Sequence, residues 1–128
     1  MKELLKKVLI IEDDIPVLKA LTDKCKLEGF KVVGVRDGKA AFDTCVKEKP
    51  DLVLLDLILP GVDGLTVLEK MRMADETKYV PVIVLTNVSN EKVEEACKKF
   101  GVSYFMVKTD WKLEEVVKKA KEATSLLQ

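Results

Sequence analysis

The chain has 128 residues, of which 48% are apolar, enough for one domain with a substantial core and too apolar for a disordered segment. Lys+Arg and Asp+Glu number 22 each, so the formal net charge is zero, which argues against a basic surface built for nucleic-acid phosphates. There is no histidine, so a histidine base, a histidine metal ligand and a phosphohistidine intermediate are excluded within this chain.

Val8 to Ile11 predicts a first strand. It is too short for a signal-peptide core and ends in acids. A first helix follows over Pro16–Glu28, with proline in its first turn, Leu18, Leu21 and Cys25 on its inner face, and Gly29 just past its end. Lys31–Val35 predicts strand two, and Asp37-Gly38 opens a second helix that runs to about Glu48. Strand three is Leu52–Leu55, and the third helix runs from near Gly64 to about Met73. Pro81 precedes strand four, Val82–Leu85. Helix four starts at Ser89 or Asn90, both good caps, and its apolar positions Val93, Ala96, Cys97 and Phe100 follow helical spacing. Gly101 closes it, Tyr104–Val107 is strand five, and Asp110 is expected to cap a last helix with Leu113, Val116, Val117 and Ala120 inside.

These alternating units predict a doubly wound parallel α/β sheet. Strands one, three and four are continuously apolar, as parallel strands covered on both faces must be. One domain over 1–128 is expected. No segment reaches the roughly 20 apolar residues of a membrane span. The cysteines Cys25, Cys45 and Cys97 are odd in number and far apart, with no zinc spacing. They read as buried free thiols, which points to the cytoplasm.

Such a sheet binds ligands at the carboxyl ends of its strands. Strand one ends in Glu12-Asp13-Asp14, strand three in Asp56, strand four in Thr86-Asn87 and strand five in Lys108-Thr109. Two carboxylates ~4 Å apart repel by ~4 kcal/mol at an effective dielectric of 20. Either one acid is protonated or a cation joins them. An all-oxygen donor set suits Mg²⁺, which takes one or two carboxylates and keeps several waters. Asp13 and Asp56 are the first choices as direct ligands, Glu12 and Asp14 the second, one of them through water, and the Ile58 carbonyl is within reach. Asp56 can then act as a nucleophile toward phosphorus, with Lys108 neutralising phosphoryl oxygens and the Thr86 hydroxyl bonding one.

The motifs VLIIEDD, PDLVLLDLILPGVDG, VPVIVLTN and YFMVK, in this order and spacing, resemble the receiver domain of two-component response regulators, the family of the bacterial chemotaxis regulator. The resemblance covers nearly the whole chain and implies the flavodoxin-like strand order 2-1-3-4-5 with five helices. It implies that Glu12 and Asp13 form the acidic pair, Asp56 the phosphoacceptor, Thr86 the switch hydroxyl, Lys108 the phosphate-binding lysine and Phe105 the switch aromatic. A sensor histidine kinase, a phosphotransfer protein or a small phosphodonor would supply the phosphoryl group. The chain would catalyse its own phosphorylation and dephosphorylation rather than turn over a substrate. A downstream protein, or a second copy forming a homodimer, would meet the face of helix four, strand five and helix five. Direct nucleic-acid and membrane contacts are not expected.

Two positions depart from the family pattern. Asn87 stands where a small residue is usual and would hinder Phe105. Thr109 stands where proline in a cis peptide is usual, so a differently shaped loop is expected. The positions two after Asp56 and Thr86, Ile58 and Val88, flank the route of attacking water in the family; both are apolar here, so slow self-dephosphorylation is expected. Trp111 is read as packing against helix five, and Gly61 and Gly64 as serving the turn after Asp56. The alternative function is a degenerate receiver that binds proteins without phosphorylation. A haloacid-dehalogenase-like phosphatase needs an acid where Ile58 stands, and Glu12-Asp13-Asp14 would repel the phosphate of a flavin.

Overall fold

The structure is a computed structural model that describes residues 5–88 and 90–125. Its elements in chain order are β1 (Lys7–Ile11), α1 (Ile15–Leu27), β2 (Lys31–Val35), α2 (Gly38–Glu48), β3 (Leu52–Leu55), α3 (Gly64–Met73), β4 (Val82–Thr86), α4 (Glu91–Lys99), β5 (Tyr104–Val107) and α5 (Leu113–Thr124). The strands form one sheet in the order β2-β1-β3-β4-β5, parallel throughout. This is the doubly wound arrangement expected, with the order implied by the resemblance.

The continuous apolar runs are explained by two cores rather than one. Successive strand residues point to opposite faces. Leu9, Ile11, Val53, Leu55, Val82 and Val84 pack with Cys45, Leu68, Met71 and Cys97 from α2, α3 and α4. Val8, Ile10, Leu52, Leu54, Ile83 and Leu85 pack with Leu21 and Cys25 of α1 and Val116 and Val117 of α5. A strand buried on both faces has no polar side to show, so alternation vanishes from its sequence.

Short polar side chains set the helix starts. Asp14, Asp37, Asp63 and Asn90 each accept the backbone N–H three residues on, at 2.8–3.0 Å. Asn90 is thus the cap of α4; the other candidate, Ser89, lies outside the described residues. Gly101, with φ +68, supplies the left-handed residue just beyond α4.

The last helix differs from expectation. Asp110 does not cap it, because Lys108–Asp110 coil into a 3₁₀ turn. Trp111 and Lys112 then run extended, and α5 begins at Leu113. The orphan N–H of Lys112 is satisfied from inside the helix by Glu115 Oε1 at 2.8 Å. No cis peptide occurs among the described residues. Trp111, expected to pack against helix five, is instead an exposed residue, at 37%, on the border of an apolar hollow with Val17, Leu21, Leu85 and Val116. All three cysteines are free and buried; burial pushes each thiol up to about 11. Among the described residues, no helix is long and apolar enough to cross a membrane.

Candidate functional site

Register brings the site together. Ile11 of β1 pairs with Leu55 of β3, so Glu12 and Asp56 leave the sheet side by side. Leu55 pairs in turn with Val84, and Thr86 pairs with Val107, which places Thr86 and Lys108 at the same edge. Asp56 N–H donates to Ile11 O at 3.0 Å and Glu12 N–H to Val35 O at 2.9 Å, extending the ladder past the strand ends. Both acids are thereby held by rigid backbone.

Glu12 is 3% exposed and Asp56 6%, a costly place for two carboxylates. One ammonium serves both. Lys108 Nζ lies 2.6 Å from Glu12 Oε1 and 2.8 Å from Asp56 Oδ2. The remaining oxygens take amides: Asp14 N–H donates to Glu12 Oε2 at 3.0 Å, and Ile58 N–H donates to Asp56 Oδ1 at 3.1 Å. Every carboxylate oxygen of the pair therefore has a partner, yet two negative charges face a single positive one.

The titration directions follow from that imbalance. Burial pushes the Glu12 carboxyl up, and the charge of Asp56 adds to the rise, while Lys108 and the Asp14 amide oppose it. For Lys108, burial alone would pull the ammonium down. Hydrogen bonds to Asp56 and Glu12, and their charges, outweigh it and leave the group above its usual range.

The other expected site residues are placed less uniformly. Thr86 is fully buried, and its hydroxyl oxygen accepts the N–H of Val88 at 3.3 Å. Asp13 is exposed, with its backbone carbonyl accepting Arg36 Nε at 3.3 Å. The Asp14 carboxylate is committed to the cap of α1. Phe105 is half-buried against the core shared by α2, α3 and α4, and Asn87 is exposed. Among the described residues, no three acidic or thiol side chains converge as a ready-made metal cluster. The donor chemistry nonetheless fits a hard divalent cation, since Glu12 and Asp56 are adjacent, all-oxygen and under-neutralised, and Mg²⁺ requires only one or two carboxylates.

Two features were missed from the sequence. The bridging of both acids by Lys108 had no local signal, because 52 residues separate Lys108 from Asp56. The Ile58 amide on Asp56 had one: an Asp side chain commonly accepts the N–H two residues on.

The sequence model of the response regulator receiver domain matches residues 8–121. The polar-differentiation response regulator DivK of Brucella anthropi is 32% identical over 103 residues, spanning 80% of this chain and 84% of DivK. Sporulation initiation phosphotransferase F of Bacillus subtilis is 34% identical over 95 residues, 74% of this chain and 75% of that protein. Among solved structures, the Mn²⁺-bound form of response regulator Rcp1 superposes with a TM-score of 0.79 at 28% identity, covering 94% of this chain and 93% of Rcp1. The chain belongs to the response regulator receiver domain family.

Proposed function

We propose that this chain is a phosphoacceptor receiver whose Asp56 takes a phosphoryl group with the help of Mg²⁺. The observation that carries this reading is the pair Glu12–Asp56 sharing one lysine at the carboxyl edge of the sheet. Asp56, Glu12, Asp13 and the Ile58 carbonyl would hold the cation. When bound, it supplies positive charge against the phosphoryl oxygens. The Mn²⁺ in the name of the Rcp1 structure supports a divalent ion in a relative.

The chain's own groups do the rest. Lys108 aims one oxygen of the Asp56 carboxylate, and the Ile58 amide fixes the other. An Asp56 oxygen attacks phosphorus, and the bond from phosphorus to the donor breaks. With acetyl phosphate the electron pair leaves on acetate; with a phosphohistidine of a sensor kinase or phosphotransfer protein it returns to the imidazole. Lys108 keeps one hand on the phosphoryl oxygens. The Thr86 hydroxyl, whose oxygen accepts from Val88 N–H, donates its proton to the new phosphoryl oxyanion, which draws the β4 end inward and lets Phe105 repack. The face of α4, β5 and α5 thus changes its affinity for a downstream protein or a second copy. By linkage, a partner that prefers the phosphorylated form favours phosphorylation equally. We place this single receiver unit, spanning 1–128, in the cytoplasm, where buried free thiols persist.

Incubation with acetyl phosphate and Mg²⁺ should add one phosphoryl group, read by intact mass. Chelation and Asp56→Asn should each abolish it. A folded wild-type chain that is not labelled by acetyl phosphate or by a phosphohistidine donor would instead leave the phosphorylation-independent binding module.

A further inference from the structure

The loop from Leu57 to Asp63 carries Ile58, whose amide orients Asp56, and it is anchored at two ends by glycines that have no room for a side chain. At Gly64 an added Cβ would lie 2.3 Å from Asp56 O and 2.5 Å from Leu57 Cα, and the Gly64 N–H donates to Leu57 O at 2.9 Å. The second anchor is on another element. Gly38, buried at the first position of α2, would place a Cβ 1.6 Å from Val62 O and 2.5 Å from Val62 C. Its N–H donates to Pro60 O at 3.0 Å. Gly61, at φ +83, lies against Lys39 of the same helical turn.

Glycine is not needed at position 38 for its backbone conformation, which is ordinary right-handed helix. It is a poor helix former, so its use there is the space it leaves. The obstacle is backbone, which cannot rotate aside as a side chain does, and real Cβ atoms essentially never come within 3.0 Å of such atoms. Any side chain at 38 must therefore push Pro60–Val62 away from α2 by more than an ångström.

We propose that Gly38 is a positioning residue for the phosphoacceptor loop: by letting α2 touch the Pro60–Val62 backbone, it sets where the Ile58 amide and carbonyl stand relative to Asp56. The inference rests on the reading of Asp56 as a metal-assisted phosphoacceptor. Gly38 lies outside the four motifs that carry the family resemblance and touches neither the acids nor Lys108 in any hydrogen bond. Its effect travels through the loop.

The test compares the full wild-type chain with Gly38→Ala and with Ala40→Gly. Ala40 is exposed on the same turn, so its replacement weakens α2 without entering the loop contact. Mg²⁺ alone is titrated and followed by the amide resonances of Ile58 and Asp56. Gly38→Ala should displace the Ile58 amide before metal is added and weaken Mg²⁺ binding by about tenfold, the scale of lost support around a metal site. Saturating Mg²⁺ should bring its acetyl phosphate labelling back toward the wild-type rate. Ala40→Gly should bind Mg²⁺ as the wild type does. A folded Gly38→Ala chain with an unmoved Ile58 amide and unchanged Mg²⁺ affinity overturns the proposal.

If Gly38→Ala does not fold, the wild type decides. Mg²⁺ should shift the Gly38 amide along with that of Ile58, and a Gly38 amide that stays still while Ile58 moves also overturns the proposal. A wild-type chain that binds no Mg²⁺ overturns the proposed function itself, on which this inference stands.

Discussion

Ile58 presents two opposite faces to the site. Its amide is fixed on Asp56 Oδ1, while the residue as a whole is 59% exposed, two positions after Asp56. An sec-butyl group there offers no hydrogen bond to a water approaching an acyl phosphate. Val88, the corresponding residue after Thr86, is apolar and half-buried. A carboxamide at position 58 could hold and orient that water, the positioning on which attack depends. Ile58→Asn should therefore shorten the life of the phosphorylated chain several-fold, measured as loss of label after the donor is removed. An unchanged decay would mean that water does not reach phosphorus past this side chain.

Between elements, two cationic side chains fasten the fold. Arg72 of α3 donates to Phe100 O at 2.5 Å, Val80 O at 2.9 Å, Lys78 O at 3.2 Å and Thr77 O at 3.4 Å. It thereby binds the C-terminal end of α4 and the connection into β4 to a single planar group. On the other side of the sheet, Glu28 follows the last turn of α1, where the helix dipole disfavours a carboxylate. Lys121 of α5 offsets this at 2.6 Å, with Lys24 at 3.8 Å. The hydrogen bond from Lys121 and its charge hold the Glu28 carboxyl below its ordinary value of 4.5. A carboxyl depressed in the folded chain stabilises it above the unfolded value, and that contribution fades as pH falls through the folded one. In an NMR titration the Glu28 midpoint should lie below 4.5 and return toward it in Lys121→Met. A midpoint unmoved by that substitution would leave the α1–α5 ion pair without energetic content.

For the whole molecule, the under-neutralised pair Glu12–Asp56 links metal binding to folding. The unfolded chain does not hold the two acids together, so on the proposed function Mg²⁺ would bind only the native state and should stabilise it. At ten times its dissociation constant the gain is about 1.4 kcal/mol, read as a higher urea midpoint at constant slope. Asp56→Asn should lose most of this response, and a wild-type midpoint indifferent to millimolar Mg²⁺ would contradict it. The strand and helix positions were legible in the chain because each depends on local rules. Asp14, Asp37, Asp63 and Asn90 cap the four helices whose starts were expected near them, and Leu52–Leu55 is as apolar as a doubly covered strand must be. Asp110 misled because it is a good cap, but the tight turn after Lys108 moves the helix start to Leu113. The sequence by itself determined the alternation of elements and the types of side chain left at one edge of the sheet. Only the tertiary structure decided that Lys108 lies between Glu12 and Asp56, that Asp13 stands outside that contact, and that α2 presses its first glycine against the loop after Asp56. Those three facts depend on strand register and on the approach of backbones distant in sequence, and no local pattern of residues encodes either.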